Sequence, residues 1–190
     1  MQKPLIILGI DPGTLILGYS VIEVCRNVIT IKAVDVLKLS AKKDNYDRLR
    51  QIHLKITEVV EVFSPDECAI EAPFFGKNIQ SMLKLGRAQG VAIAAALNKQ
   101  IPVTEYSPKK VKQAITGNGN ADKEQVWLML QRITGLKDKP KYFDATDALA
   151  VAVCHHFGKK LPSLKTTTVK KTKGSSGWEQ FMQQNPDRVL

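Results

Sequence analysis

Three apolar, β-branched segments follow one another at the start of the chain, at residues 5–10, 17–24 and 28–37. Asp-Pro-Gly ends the first, and Arg-Asn separates the second from the third, so three successive strands are predicted. From there helical and strand patterns alternate. Leu49, Ile52, Ile56, Val59, Val60 and Phe63 set a helical period over 45–63, with Asp44 in position to cap it. A strand at 66–71, an alanine-rich helix at 81–98 and a strand at 102–106 come next. Ser107-Pro108 then opens a helix to 115, since proline suits a first helical turn. A Gly-Asn loop, a helix at 122–133 and a last helix at 142–157 complete the body. This order predicts an α/β layer structure with a mixed five-stranded sheet flanked by helices.

The 190 residues suit one domain with an appendage. Residues 1–158 are expected to form the body. Residues 159–190 read as a basic, low-complexity linker followed by a short amphipathic segment carrying Trp178, Phe181 and Met182. No stretch of about 18 apolar residues exists, so no membrane span is expected. The apolar N-terminal run is cut short by Asp11, and it reads as a buried strand rather than a signal peptide. Cys25, Cys68 and Cys154 lie far apart among apolar neighbours, which suits reduced packing residues in a cytoplasmic protein.

Charge narrows the partners. The chain carries 28 Lys and Arg against 18 Asp and Glu, a net +10. A polyanion is the expected partner, nucleic acid before anionic membrane. After Gly158 there are seven basic residues against two acidic, so a solubilising tail accounts for only half of the surplus.

Four acids form the most informative pattern. Asp11 ends the apolar strand Leu-Ile-Ile-Leu-Gly-Ile, and Glu71 ends Cys-Ala-Ile. Asp144 and Asp147 stand three apart at the start of the last helix and share a face, among alanines that permit close approach to a sheet. A carboxylate in such company needs a partner, because burying it alone costs several kcal/mol. No Lys or Arg adjoins any of the four in sequence, and a divalent cation is the economical answer. Each acid also has a plainer reading. Asp11-Pro12-Gly13 can be a turn, Glu71 a strand end, and Asp144 a helix start favoured by the macrodipole.

The strings GIDPGT (9–14), AIEAPFFGKN (69–78), KLGRAQGVAIAAALN (84–98), EYSPKKVKQAITGNGNADKEQV (105–126) and DATDALAVAVCH (144–155) together resemble the RuvC Holliday-junction resolvases, collinearly over about residues 4–157. The resemblance implies a ribonuclease H-like fold, a homodimer, and metal-dependent nicking of four-way DNA junctions in recombination and repair. It implies Asp11, Glu71, Asp144 and Asp147 as catalytic metal ligands. Some members have histidine where this chain has Asp144. Two Mg²⁺ ions per site are implied, with Mn²⁺ as a substitute, and the all-oxygen donor set suits such hard cations. A branch-migration complex as partner and a bacterial, nucleoid-associated location rest on the resemblance alone. The tail lies outside it.

The same resemblance assigns basic groups to substrate phosphates at Lys112 and Lys123. Lys109 and Lys110 accompany Lys112 before the Gly-Asn loop, and Lys77, Lys84 and Arg87 are further DNA-binding candidates. A lysine run can equally be a solvated helix face. Phe74 matches an aromatic that can stack on an unpaired base, with Phe75 expected inward as an anchor. His155 and His156 read as satisfied histidines rather than ligands.

Three other functions fit parts of the pattern. Asp-Pro-Gly-Thr is similar to the first phosphate loop of actin-like kinases and ATPases, but this chain is too short for their paired domains. A non-catalytic junction binder would use the basic surface alone, yet four acids near DNA weaken binding unless metal offsets them. A general ribonuclease H is separated by its preference for a linear RNA–DNA hybrid.

Overall fold

The computed structural model describes residues 3–73, 78–138 and 140–160, all within the unit Met1–Lys160. Phe74, Phe75, Lys77 and the segment bearing Trp178, Phe181 and Met182 lie outside the described residues.

Five strands form one mixed sheet in the order β3-β2-β1-β4-β5. β1 (Leu5–Asp11), β2 (Ile16–Cys25) and β3 (Val28–Lys38) run antiparallel as a meander, with a bulge in the β2–β3 pairing between Val21 and Ile22. β4 (Glu67–Glu71) pairs parallel to β1, and β5 (Val103–Tyr106) parallel to β4. The parallel pairs need crossovers. α1 (Asn45–Phe63) leads into β4, and α2 (Ile79–Asn98) carries the chain to β5. α3 (Pro108–Thr116), α4 (Lys123–Thr134) and α5 (Phe143–Lys160) follow.

Strand alternation divides the core into two layers. Leu8, Ile10, Val21, Cys68 and Ile70 face α1 and α2, where Ile52, Ile56 and the alanines 88, 92, 95 and 96 are buried. Ile7, Ile22 and Ala69 face the other way, with Val111, Leu130 and most of α5. Because side chains alternate with period two, Asp11 follows Ile7 and Gly9 onto the α5 face, and Glu71 follows Ala69 onto the same face. The register Ile10–Ile70 sets the two carboxylates on neighbouring strands one step further on.

α5 lies unusually close to the sheet. A Cβ on Gly9 would stand 2.8 Å from both Ala152 Cβ and Ser20 Oγ, and one on Gly18 would run into the Asp144 carbonyl. The Ser20 hydroxyl donates to the Ala148 carbonyl at 3.0 Å, fastening β2 to α5 inside the core. At the far end of α5, His155 Nδ1 shares a hydrogen bond with the Tyr106 hydroxyl at 2.9 Å, and Nε2 with Glu67 Oε2 at 2.7 Å. Lys159 pairs with Glu67 as well. Burial works against the Glu67 charge, but Lys159 and His155 hold it below the usual carboxylate range.

The sequence expectations hold for every element, with two instructive differences. α5 continues to Lys160, beyond Phe157 and the expected boundary after residue 158. Gly158 lies within the helix, and a Cβ built on it would stand 3.6 Å from the Tyr106 hydroxyl, an ordinary packing distance. Cys68 and Cys154 are buried free thiols as expected, but Cys25 is exposed. It sits at the end of β2, where Arg26 and Asn27 turn the chain with positive φ and carry the hairpin tip out of the core.

Candidate active site

Three elements deliver carboxylates to one cleft of about 420 Å³, lined by Asp11 from β1, Glu71 from β4 and Asp147 from α5, with Lys112 and Lys123. Asp144 stands one turn before Asp147 on α5, near enough to raise the proton affinity of both Asp11 and Asp147. Asp11 is pushed up to about 8, first by burial and then by Glu71, Asp147 and Asp144. Glu71 rises to about 7, again by burial and by Asp147, with Lys123 and Lys112 opposing. Burial raises Asp147 as well, against the pull of Lys123.

Local sequence explains the basic rim. Asp122 caps α4 by accepting from Gln125 N at 2.8 Å, while the Gln125 side chain accepts from Asp122 N at 3.1 Å. This reciprocal box fixes Lys123 at the first helical position. Its Nζ donates to Asp147 Oδ2 at 3.0 Å and stands 5.2 Å from the centre of the Phe143 ring. Burial lowers the proton affinity of Lys123, but the Asp147 hydrogen bond together with the charges of Asp147, Asp11 and Asp144 raises it overall. α3 begins at the Ser107 cap, with Pro108 in its first turn, and carries Lys112 into the same cleft.

Absence of a basic neighbour in sequence therefore did not leave Asp147 without a cation. α4 brings Lys123 to it across a turn that adjacency in the chain does not reveal. The donor set remains all oxygen and mutually repelling, which fits a hard divalent cation. Among the described residues, no three His, Cys, Asp or Glu side chains converge as a ready-made coordination shell.

Of the DNA-binding candidates, Lys112 and Lys123 line the cleft. Lys109 lays its aliphatic stem against Gly119, and the Lys110 ammonium lies 5.0 Å over the Tyr106 ring. Lys84 is exposed on α2, and Arg87 borders an apolar groove with Ile79, Met82 and Leu83 on that helix. Phe74 and Lys77 fall outside the described residues. No local pattern singles out the aromatic pair Tyr142-Phe143, directly before Asp144. Its lysine neighbours at 141 and 38 are far apart in the chain, and only the fold brings both to the Tyr142 ring.

The family described as "Crossover junction endodeoxyribonuclease RuvC" matches residues 7–155. The protein of that name from Cytophaga hutchinsonii is 53% identical over 184 residues, 97% of this chain and 88% of the relative. That from Bacteroides fragilis is 52% identical over 98% of this chain and 97% of its own length. A solved structure of T. thermophilus RuvC in complex with Holliday junction substrate superposes with a TM-score of 0.78 at 36% identity, covering 82% of this chain and 95% of that one. A yeast mitochondrial Holliday junction resolvase, 14% identical, shares the fold with a TM-score of 0.60. With the match spanning both strands that end in acids and the helix that faces them, this chain belongs to the RuvC crossover junction endodeoxyribonuclease family.

Proposed function

We propose that the protein is a divalent-metal-dependent endodeoxyribonuclease that resolves four-way DNA junctions by paired, symmetric nicks. The observation that carries this reading is the gathering of Asp11, Glu71 and Asp147 in one basic-rimmed cleft, with Asp144 a turn away. Asp11, Glu71 and Asp147, whose proton affinity is raised by burial first and by neighbouring carboxylates after it, are poised to exchange protons for metal. Asp11, Glu71, Asp144 and Asp147 would hold two ions, Mg²⁺ by preference. When bound, such a pair supplies an activated water and neutralises the leaving 3′ oxygen.

The chain's own groups do the rest. Lys123 fixes Asp147 through one donor and has others to meet a phosphate oxygen, and Lys112 offsets the charge of Glu71 and Asp147 from α3. Both approach from helices whose N-terminal ends favour anions.

The symmetric cut follows from a homodimer built on α2. Ile79 and Leu83 are large apolar side chains left 72% and 53% exposed on that helix. A two-fold protein matches a two-fold junction through isologous contacts. A cleavage assay offering a mobile four-way junction beside a linear RNA–DNA hybrid tests the reading. Paired nicks in the junction with the hybrid intact support it, and preference for the hybrid overturns it.

A further inference from the structure

The first turns of α5 have a second inhabited face. Asp147 and Ala150 line the carboxylate cleft, whereas Ala145 and Tyr142, the residue just before the helix, line a separate groove of about 550 Å³ against the edge strand β3. Val34, Val36 and Lys38 supply its strand wall. Lys38 Nζ stands 4.5 Å from the centre of the Tyr142 ring, and Lys141 Nζ stands 5.9 Å from it. Neither ammonium pairs with a carboxylate among the described residues. Asp35, also in the groove wall, turns its oxygens elsewhere, accepting from Val36 N at 2.8 Å and the Tyr19 hydroxyl at 3.5 Å.

Position joins this groove to the cleft. In register, Asp11 pairs with Gly18 and Gly18 with Val36, so Lys38 lies at the same end of the sheet as Asp11. β3 is two strands from β1, about 10 Å at the usual strand spacing. A lysine held over an aromatic ring is drawn to it electrostatically and loses less freedom when it meets an anion.

We propose that this groove takes the phosphodiester backbone of a DNA arm leaving the carboxylate cleft, with Lys38 and Lys141 meeting phosphates and Tyr142 positioning both. The inference rests on the junction-nuclease reading and names a further surface for its substrate. Each phosphate neutralised by a lysine releases counterions and steepens the salt dependence of binding.

The test measures junction affinity in EDTA across a salt series for the full chain, the double variant Lys38→Gln/Lys141→Gln, and Arg26→Gln. Arg26 carries the same charge at the opposite end of the β2–β3 hairpin. The double variant is expected to lower the slope of log affinity against log salt by about 1.8, roughly 0.9 for each phosphate no longer neutralised. Arg26→Gln is expected to leave the slope in place. Tyr142→Phe, which keeps the ring but loses the hydroxyl that meets Lys38, should weaken binding less than Tyr142→Leu, which should weaken it severalfold. A wild-type slope in the double variant, or an equal loss in Arg26→Gln, overturns the groove. Equal behaviour of the Phe and Leu variants removes Tyr142 from it. Failure of the unmodified protein to bind any junction would instead defeat the nuclease reading, so the two failures are distinct.

Discussion

Lys123 Nζ stands 3.0 Å from Asp147 Oδ2, tying the first residue of α4 to the carboxylate helix α5. The pair places a cation within the field of four acids, and its removal takes away a side-chain donor that orients Asp147. Lys123→Gln is expected to lower junction cleavage about 10–100-fold, as loss of a ligand's supporting hydrogen bond does elsewhere. Single-turnover cleavage against Mg²⁺ concentration checks this, and an unchanged Mg²⁺ dependence would contradict it.

Asp147→Asn removes a charge from the proposed ligand set while keeping the side chain's shape. Cleavage should fall at least about a thousandfold, a loss of roughly 4 kcal/mol in transition-state stabilisation. Junction binding in Ca²⁺ should persist, since Ca²⁺ accepts looser coordination and supports little turnover. Wild-type cleavage by this variant would remove Asp147 from the mechanism.

The site's proton affinities give stability a defined pH slope. Asp11 at about 8 and Glu71 at about 7 both lie above their ordinary values near 4. The folded state thus binds more protons than the unfolded one between pH 4 and 8, and the stabilisation present at low pH is lost as pH rises through 7–8. A tenfold difference in proton affinity between the two states corresponds to about 1.4 kcal/mol, and the acids titrate as a coupled set. Metal-free protein should melt several degrees lower at pH 9 than at pH 6, and Mg²⁺ should recover most of that at pH 9. Asp11→Asn should flatten the profile and raise the metal-free melting temperature at pH 9. Calorimetry showing a rise from pH 6 to pH 9 would contradict the assignment of these groups.

How much of this was legible follows from what each signal depends on. Asp11 and Glu71 announce themselves because an apolar strand that stops on an acid is a local pattern, and period two then fixes the face. Asp144 and Asp147 are readable for the same reason at helical spacing. The Lys123–Asp147 contact depends on how α4 crosses α5, which no local period encodes. Cys25 looks like a packing residue by its neighbours, yet the Arg26-Asn27 turn carries it to the surface.

Glycine 18 is a packing requirement that links stability to activity. A Cβ there would meet the Asp144 carbonyl and the start of α5. Gly18→Ala is expected to destabilise the fold by about 1–3 kcal/mol through overpacking. It should also lower cleavage more than melting temperature predicts, because the strain is relieved by moving Asp144. A variant with normal Mg²⁺ dependence and full cleavage would show that the helix can retreat without disturbing the acids.

The division of the carboxylates between the first strand and the last described helix has a consequence for synthesis. A ribosome-bound chain that has released β1 and β4 possesses Asp11 and Glu71, but its other two acids are still untranslated. No nascent fragment that stops short of α5 carries the complete proposed ligand set. The two acids that α5 would add to the set are placed by the packing of that helix against Gly9 and Gly18.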